Sequence, residues 1–270
     1  MSNKRREGGL LAQIPTAVLG ILITLLAVTL TVAGAAFVHD RVPVKLRESH
    51  TVPLGLINGG LIGMFSIIVG LTAFLVLDQY SDAEGALQSE AGNVEEIYRL
   101  AEPLPEPKRE QIQGLAASYA RVVVDEEWPL MREDKTSPRA DALSEELRTS
   151  IQEGYRTSTG AEQDFLGDEL DVMDELDANR DARVLAVHQR LPSILGLALV
   201  LLAIATTGFS SLVGMENRRL HLLTVGVLAA AITLVLFTIG VLDRPFSTDF
   251  RVQPQPFELL LHEIEGNRGR

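Results

Sequence analysis

Residues 54–77 read LGLINGGLIGMFSIIVGLTAFLVL and contain no charged side chain. At about 1.5 Å per helical residue, this run is long enough to cross a hydrocarbon layer about 30 Å thick. Gly55, Gly59 and Gly63 repeat every fourth position, so they form a ridge on which another backbone can approach closely. The run continues through Asp78 into the polar part of the chain, so we expect this helix to join a membrane region to a soluble domain.

Three further apolar runs, at residues 16–38, 191–213 and 220–242, are also long enough to span. The chain is 46% hydrophobic but only 5% aromatic, and it lacks the alternating ten-residue segments of an outer-membrane barrel. The sequence therefore predicts an all-α polytopic membrane protein with four transmembrane helices. A cleavable signal peptide is the alternative for the first run, because Ala33-Gly34-Ala35 resembles a cleavage site.

Residues 79–190 carry 26 acidic and 12 basic side chains, a net charge of −14 in a chain whose total is −12. Such an acidic segment argues against nucleic acid and against docking of this segment on anionic lipid. The predicted division is residues 1–78 with two spans, an acidic cytoplasmic domain at 79–190 inserted between spans two and three, two more spans at 191–243, and a cytoplasmic tail at 244–270.

The inserted segment predicts four amphipathic helices packed as an antiparallel bundle. Prolines at 103, 105 and 107 separate the first two helices, and Trp128-Pro129 kinks or ends the second. Ser137 before Pro138 is a typical start for the third. Two capping boxes, Ser81 with Glu84 and Thr159 with Glu162, predict a new cap below the membrane and the start of the fourth helix.

Charged residues interrupt two of the apolar stripes. Glu126 and Glu127 fall where one stripe should continue, and Arg180 interrupts another, so we expect one acid to pair with Arg180 inside the bundle. The pair either locks two helices together or couples the state of the domain to the third span. Asp243, where the fourth span ends, is expected to pair with Arg183 or Arg190.

The sequence contains no cysteine, and its five histidines lack metal-ligand spacing. No phosphate loop, catalytic carboxylate pair or nucleophile motif is present. We therefore expect neither enzymatic activity nor a cofactor or metal site.

Basic residues near the span ends predict the orientation. With four spans, both termini share a side with the acidic domain, and eight basic residues lie there against five on the other side. The eight are Lys4, Arg5, Arg6, Arg180, Arg183, Arg190, Arg244 and Arg251, and the five are Arg41, Lys45, Arg47, Arg218 and Arg219. This bias favours cytoplasmic termini.

The chain resembles the bestrophin-like family of bacterial membrane proteins, and the resemblance covers nearly all of residues 40–260. The motifs that carry it are His50, Asp82-Ala83-Glu84, Glu90-Ala91, Leu104-Pro105, Glu127-Trp128-Pro129, Arg180, Arg183, Leu191-Pro192, Leu242-Asp243 and Pro245-Phe246. The resemblance implies an inner-membrane relative of bestrophins, which are homo-oligomeric, usually pentameric, ion channels with four membrane helices and a helical cytosolic domain. In bestrophins the second membrane helix lines the pore and provides a hydrophobic neck.

One face of residues 54–77 carries Asn58, Ile62, Phe65 and Val69. This face either lines a pore, with an apolar constriction that gates by dewetting, or packs on other spans with Asn58 hydrogen-bonded to a neighbour. Asp78 and Asp82 follow and would concentrate cations among the inorganic ions at the inner mouth. The functional hypothesis is an oligomeric channel, and the alternative is a membrane-anchored interaction or sensory protein without a pore.

Overall fold

The computed structural model describes residues 15–42, 51–213, 217–247, 249 and 252–268, and every regular element among them is helical. The elements are α1 (Thr16–Arg41), α2 (Thr51–Leu100), α3 (Lys108–Val122), a π-helical turn (Val123–Glu127), α4 (Trp128–Met131), α5 (Pro138–Thr157), α6 (Ala161–His188), α7 (Ser193–Leu212), α8 (Arg218–Leu242) and α9 (Gln255–Arg268). Helices α1, α2, α7 and α8 are long and apolar enough to cross a membrane, in agreement with the four predicted spans. Lys4, Arg5, Arg6, Lys45, Arg47, His50 and Arg251 lie outside the described residues.

The chain divides into two compact units. The first, which we call the span unit, comprises Met1–Leu77 and Arg190–Asp243. The second, the helical unit, comprises Asp78–Gln189 and Arg244–Arg270. Residues after Asp243 thus belong to the helical unit rather than to a separate tail.

Helix α2 contributes to both units as one helix of 50 residues. The new cap expected at Ser81 and Glu84 is wrong, because the helix continues through both residues. No proline lies between Pro53 and Pro103, so every amide in this interval can take part in the helical hydrogen bonds. The capping-box pattern is overridden because the preceding turn of α2 already supplies carbonyl partners to these amides.

Two of the remaining boundary predictions need correction. The second bundle helix continues past Trp128 to Met131, because the backbone widens into a π-helical turn at Val123–Glu127 and places Pro129 in the first turn of α4. Helix α6 begins after Gly160, whose φ of 65° suits glycine, rather than at a cap on Thr159. The predicted start of α5 is correct: Ser137 accepts a hydrogen bond from the amide of Ala140.

The core of the helical unit is built from the predicted stripes. On α2, Leu87, Ala91, Val94 and Ile97 are all buried, and so is Ala101 directly after the helix. Helix α5 packs against both α3 and α6, and α9 packs against α3. The residues after the fourth span add two aromatic contacts, since Phe246 meets Trp128 edge-on at 5.6 Å between ring centroids and Phe257 lies 6.4 Å from Tyr119.

In the span unit α1 packs mainly along α8. Gly20 allows this approach, because a Cβ built there would lie 2.5 Å from the ring of Phe237. The small residues Ala33 to Ala35 lie inside α1, and Ala35 is fully buried.

Candidate functional site

The face of α2 predicted to line a pore packs instead on the chain's own spans. The Phe65 side chain is only 7% exposed and lies in a cluster with Leu199, Ala203 and Ile232. Val69 packs against the same cluster. Because a phenyl ring enclosed by neighbouring helices cannot also face a water-filled path, the expected pore-lining role is wrong for Phe65.

Asn58 shows the same inward packing. Its Nδ2 donates to the Ser210 hydroxyl of α7 at 3.0 Å, which is the interhelical hydrogen bond that the alternative interpretation expects. Ile62 is more open and lines a small cavity of about 270 Å³ together with Ser210 and His221. We call the surface formed by Asn58, Ile62, Phe65 and Val69 the packed face.

A second side of α2 is uncovered within the chain. Ile67, Leu71 and Phe74 are 65%, 62% and 66% exposed, although all three are large and apolar. Their spacing of four and three residues puts them on one side of the helix, and Asp78 and Asp82 continue the same spacing. Both acids are exposed. We call this set the open face.

The glycine ridge is also uncovered. A Cβ built at Gly55, Gly59 or Gly63 would meet no atom within 4 Å, so the ridge makes no close contact with the part of the chain that the structure describes. An unoccupied ridge of small residues beside an open apolar face is the surface that another helix can approach.

A buried charge network holds the helical unit together. The Arg183 guanidinium donates through Nε and Nη2 to both oxygens of Glu90, and Nη2 also donates to Glu127 at 2.7 Å. Arg180 binds both oxygens of Glu127 at 2.9 Å and reaches Asp141 at 2.6 Å. Glu90, Glu127 and Arg183 are fully buried, so two cations and two anions neutralise each other in the core.

The π-helical turn positions one member of this network. It puts Glu127 inside while its neighbour Glu126 stays at the surface and pairs with the exposed Arg139. Glu127 also accepts a hydrogen bond from the Ser137 amide at 3.2 Å, which ties the start of α5 to the network. The expected pairing of Arg180 with Glu127 rather than Glu126 is the one the structure contains.

The network shifts the ionisation of its members. Burial raises the pKa of the Glu127 carboxyl, but the adjacent guanidinium groups of Arg183 and Arg180 outweigh burial and leave the pKa below its usual range. Burial and then the charge of Glu90 raise the pKa of the Tyr119 phenol well above its usual range. The phenol therefore stays protonated and donates to Glu90.

Among the described residues, Arg183 pairs with Glu90 and Glu127, so the expected pairing of Asp243 with Arg183 is wrong. Asp243 instead accepts a hydrogen bond from the Leu191 amide at 2.8 Å, which joins the end of the fourth span to the entry of the third. In the described part of the chain, no group of three or more metal-ligating side chains is close enough to hold an ion.

Our sequence reasoning did not place two of the acids in the core. Glu90 follows Leu87 by three residues and precedes Val94 by four, so helical spacing alone places it in the buried stripe. Glu169 lies in the stripe between Leu166 and Met173 by the same test. It is fully buried, and neither carboxylate oxygen has a hydrogen-bond partner among the described residues. Burial raises the pKa of Glu169 to about 8.

Comparison with known proteins agrees with this architecture. A family model described as a Bestrophin-like domain matches residues 25–257. A crystal structure of a membrane protein is similar over 90% of this chain and 96% of that chain, with a TM-score of 0.68 at 12% sequence identity, which is a likeness of fold. No curated protein sequence gives a significant match. The match to the family covers most of the chain, and the protein therefore belongs to the bestrophin-like family of membrane proteins.

Proposed function

We propose that the chain is the subunit of a homo-oligomeric ion channel of the bacterial inner membrane. The observation that carries this proposal is the open face of α2, where Ile67, Leu71 and Phe74 expose large apolar side chains next to an unoccupied glycine ridge. Lipid alone can cover such a face, but the family to which the chain belongs is related to oligomeric channels. In an oligomer around a central axis, each copy would present this face to the path.

The proposed neck is the apolar part of the open face. Rings of Ile67, Leu71 and Phe74 side chains from several copies would form a constriction without polar atoms, which excludes water and closes the path until it widens. This neck lies on a different side of α2 from the packed face, where Phe65 and Val69 contact α7 and α8.

The proposed inner mouth is acidic. Asp78 and Asp82 continue the open face just after the apolar residues, and residues 79–190 carry a net charge of −14. A negative field of this size raises the local cation concentration, so we propose that the channel prefers cations. Neutralising both acids would lower this preference.

The proposed orientation has both termini and residues 79–190, inserted between the second and third spans, in the cytoplasm. Because the chain has no cysteine, a single introduced thiol reports on one position. Cysteine at Ser89, exposed in the helical unit, should resist an impermeant maleimide in intact cells, whereas cysteine at Asp40, exposed at the end of α1, should react. The reverse labelling would overturn the orientation.

Recording purified protein in planar bilayers under a salt gradient tests the function. The wild type should conduct, with a reversal potential shifted toward the equilibrium potential of the cation. The double variant Asp78→Asn, Asp82→Asn should move the reversal potential toward zero. Silent membranes with protein shown to be inserted would favour a membrane-anchored interaction protein. An equal reversal potential for the wild type and the double variant would contradict the proposed inner mouth.

A further inference from the structure

A long groove runs between α1, α7 and α8 in the span unit. It has a volume of about 500 Å³ and follows α1 from Ala27 to Val38. Gly34 of α1 and Gly208 of α7 lie in its wall, and a Cβ built at either would meet no atom within 4 Å. The groove is therefore open space within three helices that are apolar enough to span a membrane.

The wall of the groove offers no charged side chain and no free hydroxyl donor. Four hydroxyl side chains line it, but each donates to a backbone carbonyl of its own helix. The bonds are Thr31 to Ala27 at 2.8 Å, Thr207 to Ala203 at 2.8 Å, Ser211 to Thr207 at 2.9 Å and Thr233 to Ala229 at 2.7 Å. With no charged residue in the wall, the occupant that fits is hydrocarbon rather than a polar solute.

The length of the groove suits an acyl chain. From Ala27 to Val38 the groove is about 16 Å long at about 1.5 Å per helical residue. This is about half of a hydrocarbon layer about 30 Å thick, which is the depth that the acyl chains of one leaflet occupy.

The end of α1 beyond the groove is basic. Arg41 lies three residues after Val38. Arg218 and Arg219 are the first residues of α8, and Arg218 Nη2 donates to Oδ2 of Asp40 in α1 at 3.1 Å. Among the described Arg, Lys, Asp and Glu residues, this end thus carries three guanidinium groups and one carboxylate. An excess of positive charge at a membrane boundary attracts phosphate headgroups.

We propose that the groove is a binding site for an anionic phospholipid. One acyl chain lies between α1, α7 and α8, and the phosphate headgroup lies against Arg41 and Arg219. This site is independent of the proposed conduction path, because its wall contains no residue of α2.

The test uses matched glycine substitutions. Gly34→Leu with Gly208→Leu fills the groove without a clash, and Gly240→Leu is the control, because it also has open space around it but lies outside the groove wall. Each protein is reconstituted in vesicles of phosphatidylglycerol and phosphatidylcholine at equal amounts, extracted, washed in detergent and examined by native mass spectrometry. We expect the wild type and the control to retain phosphatidylglycerol, and the filled groove to lose it roughly tenfold.

A second variant tests the headgroup. Arg41→Gln with Arg219→Gln should retain lipid but lose the preference for phosphatidylglycerol over phosphatidylcholine. Equal lipid retention by the filled-groove variant and the control would overturn the site. A changed subunit number in the filled-groove variant, with its lipid unchanged, would also overturn it, because the groove would then hold a second copy of the chain.

Discussion

Helix α2 shows two ways in which one helix can be used. In the helical unit its stripe from Leu87 to Ile97 is buried by other helices of the same chain, and Glu90 is neutralised there by Arg183. In the span unit only one side is covered, and Ile67, Leu71 and Phe74 stay exposed. The part of α2 in the helical unit thus finds its partners within the chain. The part in the span unit must find partners for its open face in lipid or in other copies of the chain.

Buried and uncovered residues of the chain are expected to have different roles. Residues that complete a core, such as Phe65 and Glu127, are expected to decide whether the units fold. Residues that the chain leaves uncovered, such as Phe74, are expected to decide what the folded protein does. Variants of buried residues should therefore change stability most, and variants of uncovered residues should change assembly or conductance.

Glu127→Gln should cost on the order of 3–5 kcal/mol of unfolding free energy, because Arg180 and Arg183 would lose a buried counter-charge. Glu126→Gln is the matched control, since it removes a neighbouring acid whose pairing with Arg139 is exposed. That variant should cost less than about 1 kcal/mol. Chemical denaturation of both variants measures the difference, and similar losses would show that the network is not what stabilises the helical unit.

Glu169→Gln should stabilise the protein above neutral pH. With a pKa of about 8 in the folded state, Glu169 holds a proton that the unfolded chain releases near its usual pKa of 4.5. Folding stability therefore falls as pH rises from about 4.5 to 8, by about 1.4 kcal/mol per unit, and levels off above. The neutral amide removes this slope.

Denaturation across the pH range measures the effect. The network should give the opposite slope, because the lowered pKa of Glu127 adds stability above pH 4.5 that is lost as pH falls. An unchanged pH profile for Glu169→Gln would mean that this carboxyl is ionised and has a partner.

The two phenylalanines of the span half compare its two faces directly. Phe65→Ala should cost about 3 kcal/mol because it leaves a cavity between α2, α7 and α8. Phe74→Ala should stay within about 0.5 kcal/mol because its ring is uncovered in the chain. Thermal unfolding in detergent measures both, and equal losses would show that Phe74 has a partner within the subunit.

The glycine ridge provides a smaller test, in which folding is kept and assembly is changed. Gly59→Leu has open space in the subunit, so the monomer should fold, but the leucine would block close approach of another helix. Gly196→Leu on α7 is the control, with equally open surroundings. Light scattering should find fewer subunits per particle for Gly59→Leu alone, and an unchanged particle would mean that the ridge faces lipid.

The sequence predicted the features that local pattern determines. Hydropathy located the four spans, Pro138 after Ser137 located a helix start, and an acid in a stripe predicted the pair between Glu127 and Arg180. Which side of α2 is covered depends instead on where α7 and α8 pack. Because the span is apolar on every side, its hydropathy does not indicate the covered side. The widening of the backbone at Val123–Glu127 likewise has no local pattern and follows from tertiary packing.

The single-channel conductance of Phe74→Ala tests most directly whether the open face of α2 forms the neck of a conduction path. Leu234→Ala is the control, because this leucine is also exposed but lies on α8. If the open face is the neck, Phe74→Ala should wet the constriction and raise the conductance, while Leu234→Ala should leave the conductance at the wild-type value. Equal conductance of the wild type and both variants would contradict a conduction path along the open face of α2.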